Sequence, residues 1–124
     1  ETIEPARIAY LTGEVIDDHH LLVRLITDVL NDMPDTHFNF LILDEVTHIK
    51  DWDKGVKYLA DAGLLENVVF ILTGSDLVII KEARMRFPGR RGQSDRVDFF
   101  LYPLNFFECV KLKSFFFINY LCNL

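Results

Sequence analysis

Phe38-Asn39-Phe40-Leu41-Ile42-Leu43-Asp44-Glu45 is a short apolar run that ends on two adjacent carboxylates. It is too short for a buried helix and lacks the clean alternation of a half-wet strand, so it predicts a strand buried on both faces. A strand of this kind delivers Asp44 and Glu45 to the carboxyl edge of a parallel sheet, where open α/β sheets bind their ligands. Neighbouring strand residues point to opposite faces. Both acids therefore reach one site only where the strand ends and the backbone turns.

The rest of the chain repeats this grammar. Ile8 to Leu11 is a second short apolar run, followed by polar residues. Asp17 or Asp18 is placed to cap a helix in which Leu22, Leu25, Ile26 and Val29 share one stripe. Asn31 to Thr36, with Pro34, forms a turn before the central strand. A second helix begins near Asp51 or Asp53, with Val56, Leu59, Ala60 and Gly63 on its inner face, and Gly63 suits its C-terminal cap. Trp52 is expected to pack between this helix and the sheet. Val68 to Leu72 is a third apolar strand, closed by Thr73-Gly74-Ser75, and Asp76 to Arg86 reads as a third helix. Phe87 to Ser94 holds Pro88, Gly89 and Gly92 and is irregular. Val97 to Leu101 is a strand candidate that Pro103 breaks, and Asn105 can cap a short helix to about Lys111. Strand, helix, strand, helix, strand implies right-handed crossovers and a three-layer α/β sandwich with a mostly parallel sheet.

Bulk properties narrow the function classes. The chain has 124 residues, half of them apolar and 13% aromatic, which suits one modest globular domain. A net charge of −6 argues against wholesale binding of nucleic acid. Cys109 and Cys122 have no companion ligands in metal spacing, so neither a disulfide framework nor a zinc site is expected, and a reducing, cytoplasmic setting is the default. No apolar run is long enough to span a membrane. The first residues, Glu1-Thr2-Ile3-Glu4-Pro5, have neither the basic region of a signal peptide nor an initiator Met. The expectation is a chain cut from something longer. Residues 114–124, with Phe115-Phe116-Phe117, form an apolar tail of different character and stay unassigned.

Few residues can carry chemistry. Asp44 suits Mg²⁺ binding and Glu45 the polarisation of a water; an acidic strand-to-loop boundary is the alternative. Thr73 and Ser75 would bring hydroxyls near Asp44 if their strand lies beside it, although Thr-Gly-Ser is also good turn chemistry. Arg84, Arg86, Arg90, Arg91 and Arg96 cluster, and Gly89 and Gly92 free the backbone to present Arg90 or Arg91 at a surface. Arginine binds phosphate bidentately and can act in trans; a solvated basic loop balanced by Glu82, Asp95 and Asp98 is the other reading. His48, three residues after Glu45, lacks the first His of a zinc-protease helix, and His19-His20 suits a helix's first turn better than a metal site.

Together these segments resemble a known family. Phe40-Leu41-Ile42-Leu43-Asp44-Glu45-Val46-Thr47-His48-Ile49-Lys50-Asp51-Trp52, then Lys57-Tyr58-Leu59-Ala60-Asp61-Ala62-Gly63, is similar to the AAA-type P-loop ATPases among the prokaryotic ATP-binding proteins. Ile71-Leu72-Thr73-Gly74-Ser75 matches the family's sensor 1 segment. Phe87-Pro88-Gly89-Arg90-Arg91-Gly92 and Phe99-Phe100-Leu101-Tyr102-Pro103-Leu104-Asn105-Phe106-Phe107-Glu108 match its Pro-Gly-Arg-Arg-Gly and Leu-Tyr-Pro-Leu motifs. The likeness runs from about Arg7 to Val110, within a partial ATPase domain assigned to residues 1–113.

The resemblance implies Walker B roles at the central strand. Asp44 becomes the Mg²⁺ residue and Glu45 the catalytic carboxylate. Thr73 or Ser75 becomes the sensor 1 residue, and Arg90 or Arg91 a γ-phosphate-sensing or finger arginine. ATP and Mg²⁺ are the implied cofactors, and a homo-oligomeric parent acting on an unknown protein partner is implied too. The chain departs from the family in holding no G-x-x-x-x-G-K-[ST] loop, which the family places upstream of the first strand. On this reading the chain is a truncated P-loop NTPase-like domain that by itself hydrolyses ATP poorly or not at all. A non-catalytic protein- or DNA-interaction module on the same fold is the competing function.

Overall fold

The computed structural model describes residues 3–35, 38–86, 97–102 and 104–112. The chain separates into two compact units, Glu1–Gly92 and Gln93–Leu124. In the first unit β1 (Ile8–Thr12), α1 (His19–Asp32), β2 (Asn39–Asp44), α2 (Trp52–Asp61), β3 (Val68–Leu72) and α3 (Leu77–Arg84) follow one another, with single 3₁₀ turns at Pro5–Arg7, Gly13–Val15 and Val46–His48. The strands form an open parallel sheet in the order β1-β2-β3. The α/β class and parallel sheet are as the apolar runs predict.

Caps decide where the helices begin and end. Asp18, in extended backbone, accepts from the N–H groups of His20 and Leu21, both at 3.0 Å, and so starts α1. Asp76 does the same for α3 through Val78 (2.9 Å) and Ile79 (3.1 Å). At the end of α2, Gly63 turns left-handed at φ 74°. Its N–H then reaches the Ala60 carbonyl and that of Leu64 the Leu59 carbonyl, both at 3.1 Å, which satisfies two orphan acceptors. His19 and His20 occupy the first turn of α1.

Register sorts the side chains onto two faces. Ile8 pairs with Phe40 and Tyr10 with Ile42, while Phe40 and Ile42 pair with Val69 and Ile71. Those residues and Asp44 share one face, on which Ile8, Tyr10, Val69 and Ile71 are exposed. The other face carries Leu41 and Leu43, fully buried with Leu22 and Ile26 of α1 and Trp52, Val56 and Leu59 of α2. Ala83 of α3 joins this core, and below it Arg86 pairs with the nearly buried Asp53 at 2.7 Å. Among the described residues the core therefore lies on one side of the sheet, and the face that Asp44 shares stays open. Leu43→Ala, which empties a fully buried site beside the carboxyl edge of the sheet, is expected to destabilise the unit by about 2–5 kcal/mol in urea unfolding. A loss below about 1 kcal/mol would show that this core is not packed as described.

In the second unit the expected strand at Val97 to Leu101 is absent: residues 97–102 are irregular. The run is apolar enough for a strand, but Phe99 is 76% and Leu101 100% exposed, and no strand pairs with it among the described residues. The short helix after Asn105 is present at 106–112. Asn105 Oδ1 accepts from the Glu108 N–H at 3.0 Å, while Glu108 accepts from the Asn105 N–H at 2.8 Å. That reciprocal pair is a capping box. The apolar tail at 114–124 lies outside the described residues.

Candidate functional site

The carboxyl ends of the three strands meet at Asp44. Thr12 lies opposite it in the β1–β2 register, and Thr73 follows directly on β3. The ladder runs past the strand ends, since the Thr73 N–H donates to the Leu43 carbonyl at 3.0 Å and the Val46 N–H to the Thr73 carbonyl at 2.9 Å. The turn that both acids need occurs at Glu45, whose φ of 49° and ψ of 46° are left-handed. A bulky non-glycine residue there is uncommon and costs on the order of 1–3 kcal/mol. The neighbours that hold it there are Gly13 and the Thr73–Ser75 segment.

Both oxygens of Asp44 are held by hydroxyl donors. The Thr73 hydroxyl donates to Oδ1 in a short bond, and the Tyr10 phenol donates to Oδ2 at 2.7 Å. The Thr73 hydroxyl also accepts from the Glu45 N–H at 3.2 Å, so one side chain ties the two acidic residues together. Thr73 first, and Tyr10 after it, hold the Asp44 carboxyl below its ordinary pKa; hydrogen bonds to the charged form favour it. The same bond pushes the Tyr10 phenol up. Asp44 is thus anionic at neutral pH. Glu45 is held separately, its Oε2 accepting from the Ser75 N–H at 3.2 Å and the Ser75 hydroxyl at 3.1 Å.

Gly13 completes the edge. A Cβ built on it would lie 2.4 Å from the Glu45 carbonyl oxygen and 3.2 Å from that of Asp44. Backbone meets backbone here, and only glycine allows the approach.

Of the residues singled out from sequence, the structure brings Asp44, Glu45, Thr73 and Ser75 into one hydrogen-bonded cluster. His48 is exposed on the adjoining turn, where its backbone N–H donates to the Glu45 carbonyl at 3.1 Å. Arg90 and Arg91 lie outside the described residues. Tyr10 and Gly13 were not legible as site residues. Their positions follow from the β1–β2 register, which no local pattern announces.

The donors suit a hard cation. Mg²⁺ is characteristically held by one or two carboxylates together with water and substrate phosphates rather than by an all-protein cage. Asp44, with hydroxyls beside it, meets that requirement. Among the described residues no group of three or more His, Cys, Asp or Glu side chains gathers to hold a metal ion, so a cation at this edge would rest on Asp44 together with water and phosphate oxygens.

An open parallel α/β sheet with paired acids and a Thr-Gly-Ser segment at its carboxyl edge is the class of domain that P-loop NTPases share. A family model described as AAA domain matches residues 1–110, and the chain belongs to that family of nucleotide-binding, ATPase-like domains. Among curated proteins it is similar to the uncharacterized protein MJ1544 of Methanocaldococcus jannaschii, 29% identical over 99 residues. That match covers 76% of this chain and 21% of the relative, so the chain spans about a fifth of that protein's length. No solved structure matches the chain. No helix among the described residues is long and apolar enough to cross a membrane.

Proposed function

We propose that this chain carries the Walker B and sensor 1 portion of an AAA-type ATPase, and that the whole protein binds ATP with Mg²⁺ and hydrolyses it. The observation that carries this reading is the left-handed turn at Glu45, beside an Asp44 held ionised by Thr73 and Tyr10. Neither a strained glutamate nor a doubly bonded, partly exposed aspartate is needed to end a strand. Both are useful where a metal and a water must be oriented. Asp44 would hold Mg²⁺, directly or through water, and the metal when bound would neutralise phosphate charge. Glu45 would orient the attacking water and take its proton. Thr73 would fix Asp44 and stand where a γ-phosphate could be sensed. Ser75 holds the Glu45 carboxylate until the water is in place. Arg90 or Arg91 would meet phosphate, in a homo-oligomer from the neighbouring subunit, as the resemblance implies.

Asp44→Asn tests the metal assignment. In the full-length protein it is expected to weaken Mn²⁺ binding, measured by electron paramagnetic resonance with a non-hydrolysable ATP analogue present, and to remove Mg²⁺-dependent turnover. Unchanged Mn²⁺ affinity would overturn the reading.

A further inference from the structure

We propose that Tyr10 is the positioning residue of this metal site, its phenol holding the Asp44 carboxylate in the orientation that receives Mg²⁺. The inference rests on the reading of Asp44 as the metal residue and adds a residue from a different strand to it.

The geometry is specific. Tyr10 lies opposite Ile42, and Asp44 is two residues further along the same face of β2. This diagonal spacing is one that only a long or aromatic side chain can bridge. Tyr10 is 60% exposed, so burial is not what holds it in place. Its hydroxyl nevertheless sits 2.7 Å from Asp44 Oδ2, where a phenylalanine would fill a similar volume without the bond. The hydroxyl has a structural consequence at its far end only.

That consequence is to lock a rotor. A carboxylate tied at one oxygen can still swing about its last torsion; with Thr73 on Oδ1 and Tyr10 on Oδ2 it cannot. An ionised carboxylate offers about four lone-pair sites, so with the Thr73 and Tyr10 hydroxyls and the Glu45 N–H on it, capacity remains for the cation or one of its waters. Mg²⁺ demands near-ideal octahedral geometry and sheds water reluctantly. A carboxylate fixed before the ion arrives meets that demand without reordering. Hydrogen-bond partners behind a metal ligand act in this way elsewhere, and losing one costs about 10–100-fold in metal affinity. Tyr10 is exposed and shares its task with Thr73, which places the expected effect near the lower figure.

The test is Tyr10→Phe in the full-length protein, with Mn²⁺ titrated in the presence of a non-hydrolysable ATP analogue. Affinity is expected to fall about tenfold, while affinity for the analogue without metal stays as in the native protein. A lesion that merely disturbed the fold would lower both. Tyr10→Leu, which removes the ring as well, should weaken Mn²⁺ binding no more than Tyr10→Phe, because the hydroxyl is the working part. Equal or tighter Mn²⁺ binding by Tyr10→Phe would overturn the proposal, the tighter result meaning that the phenol competes with the ion. Asp44→Asn run alongside separates the two failures. If Asp44→Asn weakens Mn²⁺ and Tyr10→Phe does not, only the role of Tyr10 falls; if neither does, the metal site itself is elsewhere.

Discussion

Glu45→Gln in the full-length protein is expected to lower ATP turnover by about 10²-fold or more while leaving binding of Mg²⁺ and nucleotide intact. Glutamine keeps the length of the side chain, and its carbonyl oxygen can still accept from the Ser75 N–H and hydroxyl that hold Glu45 at 3.2 and 3.1 Å. The left-handed backbone is unaffected by the change, since it is held by the Thr73 hydroxyl on the Glu45 N–H and by packing against Gly13. On the proposed role of Glu45, what disappears is the ability to take a proton from water, and with it the general-base share of the rate. Steady-state turnover and nucleotide affinity, measured on the same preparation, decide the matter. Turnover within a few-fold of the native rate would remove Glu45 from the chemistry and leave the interaction-module reading in its place. Loss of binding together with turnover would make Glu45 a structural support of the Asp44 site instead.

Much of this candidate site was legible because its residues sit at the ends of strands that announce themselves. Phe38 to Glu45 reads as a buried strand by length and apolarity, and it is one from Asn39 to Asp44. The caps at Asp18 and Asn105 and the left-handed Gly63 are local events within one turn of chain, so residue type points to them, at the first to within the choice of Asp17 or Asp18. Thr73 and Ser75 could be named only on the condition that β3 lies beside β2, which the register meets. Tyr10 and Gly13 could not, because their roles depend on a register set across more than thirty residues: a slip of β1 by one position would turn Tyr10 to the other face. The failed strand at Val97 to Leu101 is the converse case. An apolar run states a wish to be buried, and becomes a strand only where a ladder partner exists.

Gly13→Ala is expected to cost about 1–3 kcal/mol of stability and to remove ATP turnover, although Gly13 bears no functional group. The added Cβ would sit 2.4 Å from the Glu45 carbonyl oxygen and 3.0 Å from its carbonyl carbon, and neither atom is the end of a flexible side chain. Relief requires the backbone to move. The 3₁₀ turn at Gly13–Val15 can retreat only by pulling on β1, whose Thr12 is paired with Asp44. Glu45 can retreat only by leaving its left-handed conformation, which would draw its carboxylate from Ser75 and its N–H from Thr73. Either way the carboxyl edge loses the geometry that the paired acids need. Urea unfolding and turnover should therefore fall together. Gly74→Ala provides the contrast, because its Cβ would meet side chains, Ile80 Cδ1 and Thr47 Cγ2 at 3.0 Å, rather than backbone. Native stability and turnover in Gly13→Ala would show that the turn and the Glu45 backbone are farther apart than described. Loss of turnover with native stability would point instead to a small displacement of Glu45, and the chemistry would then depend on its left-handed turn more than the fold does.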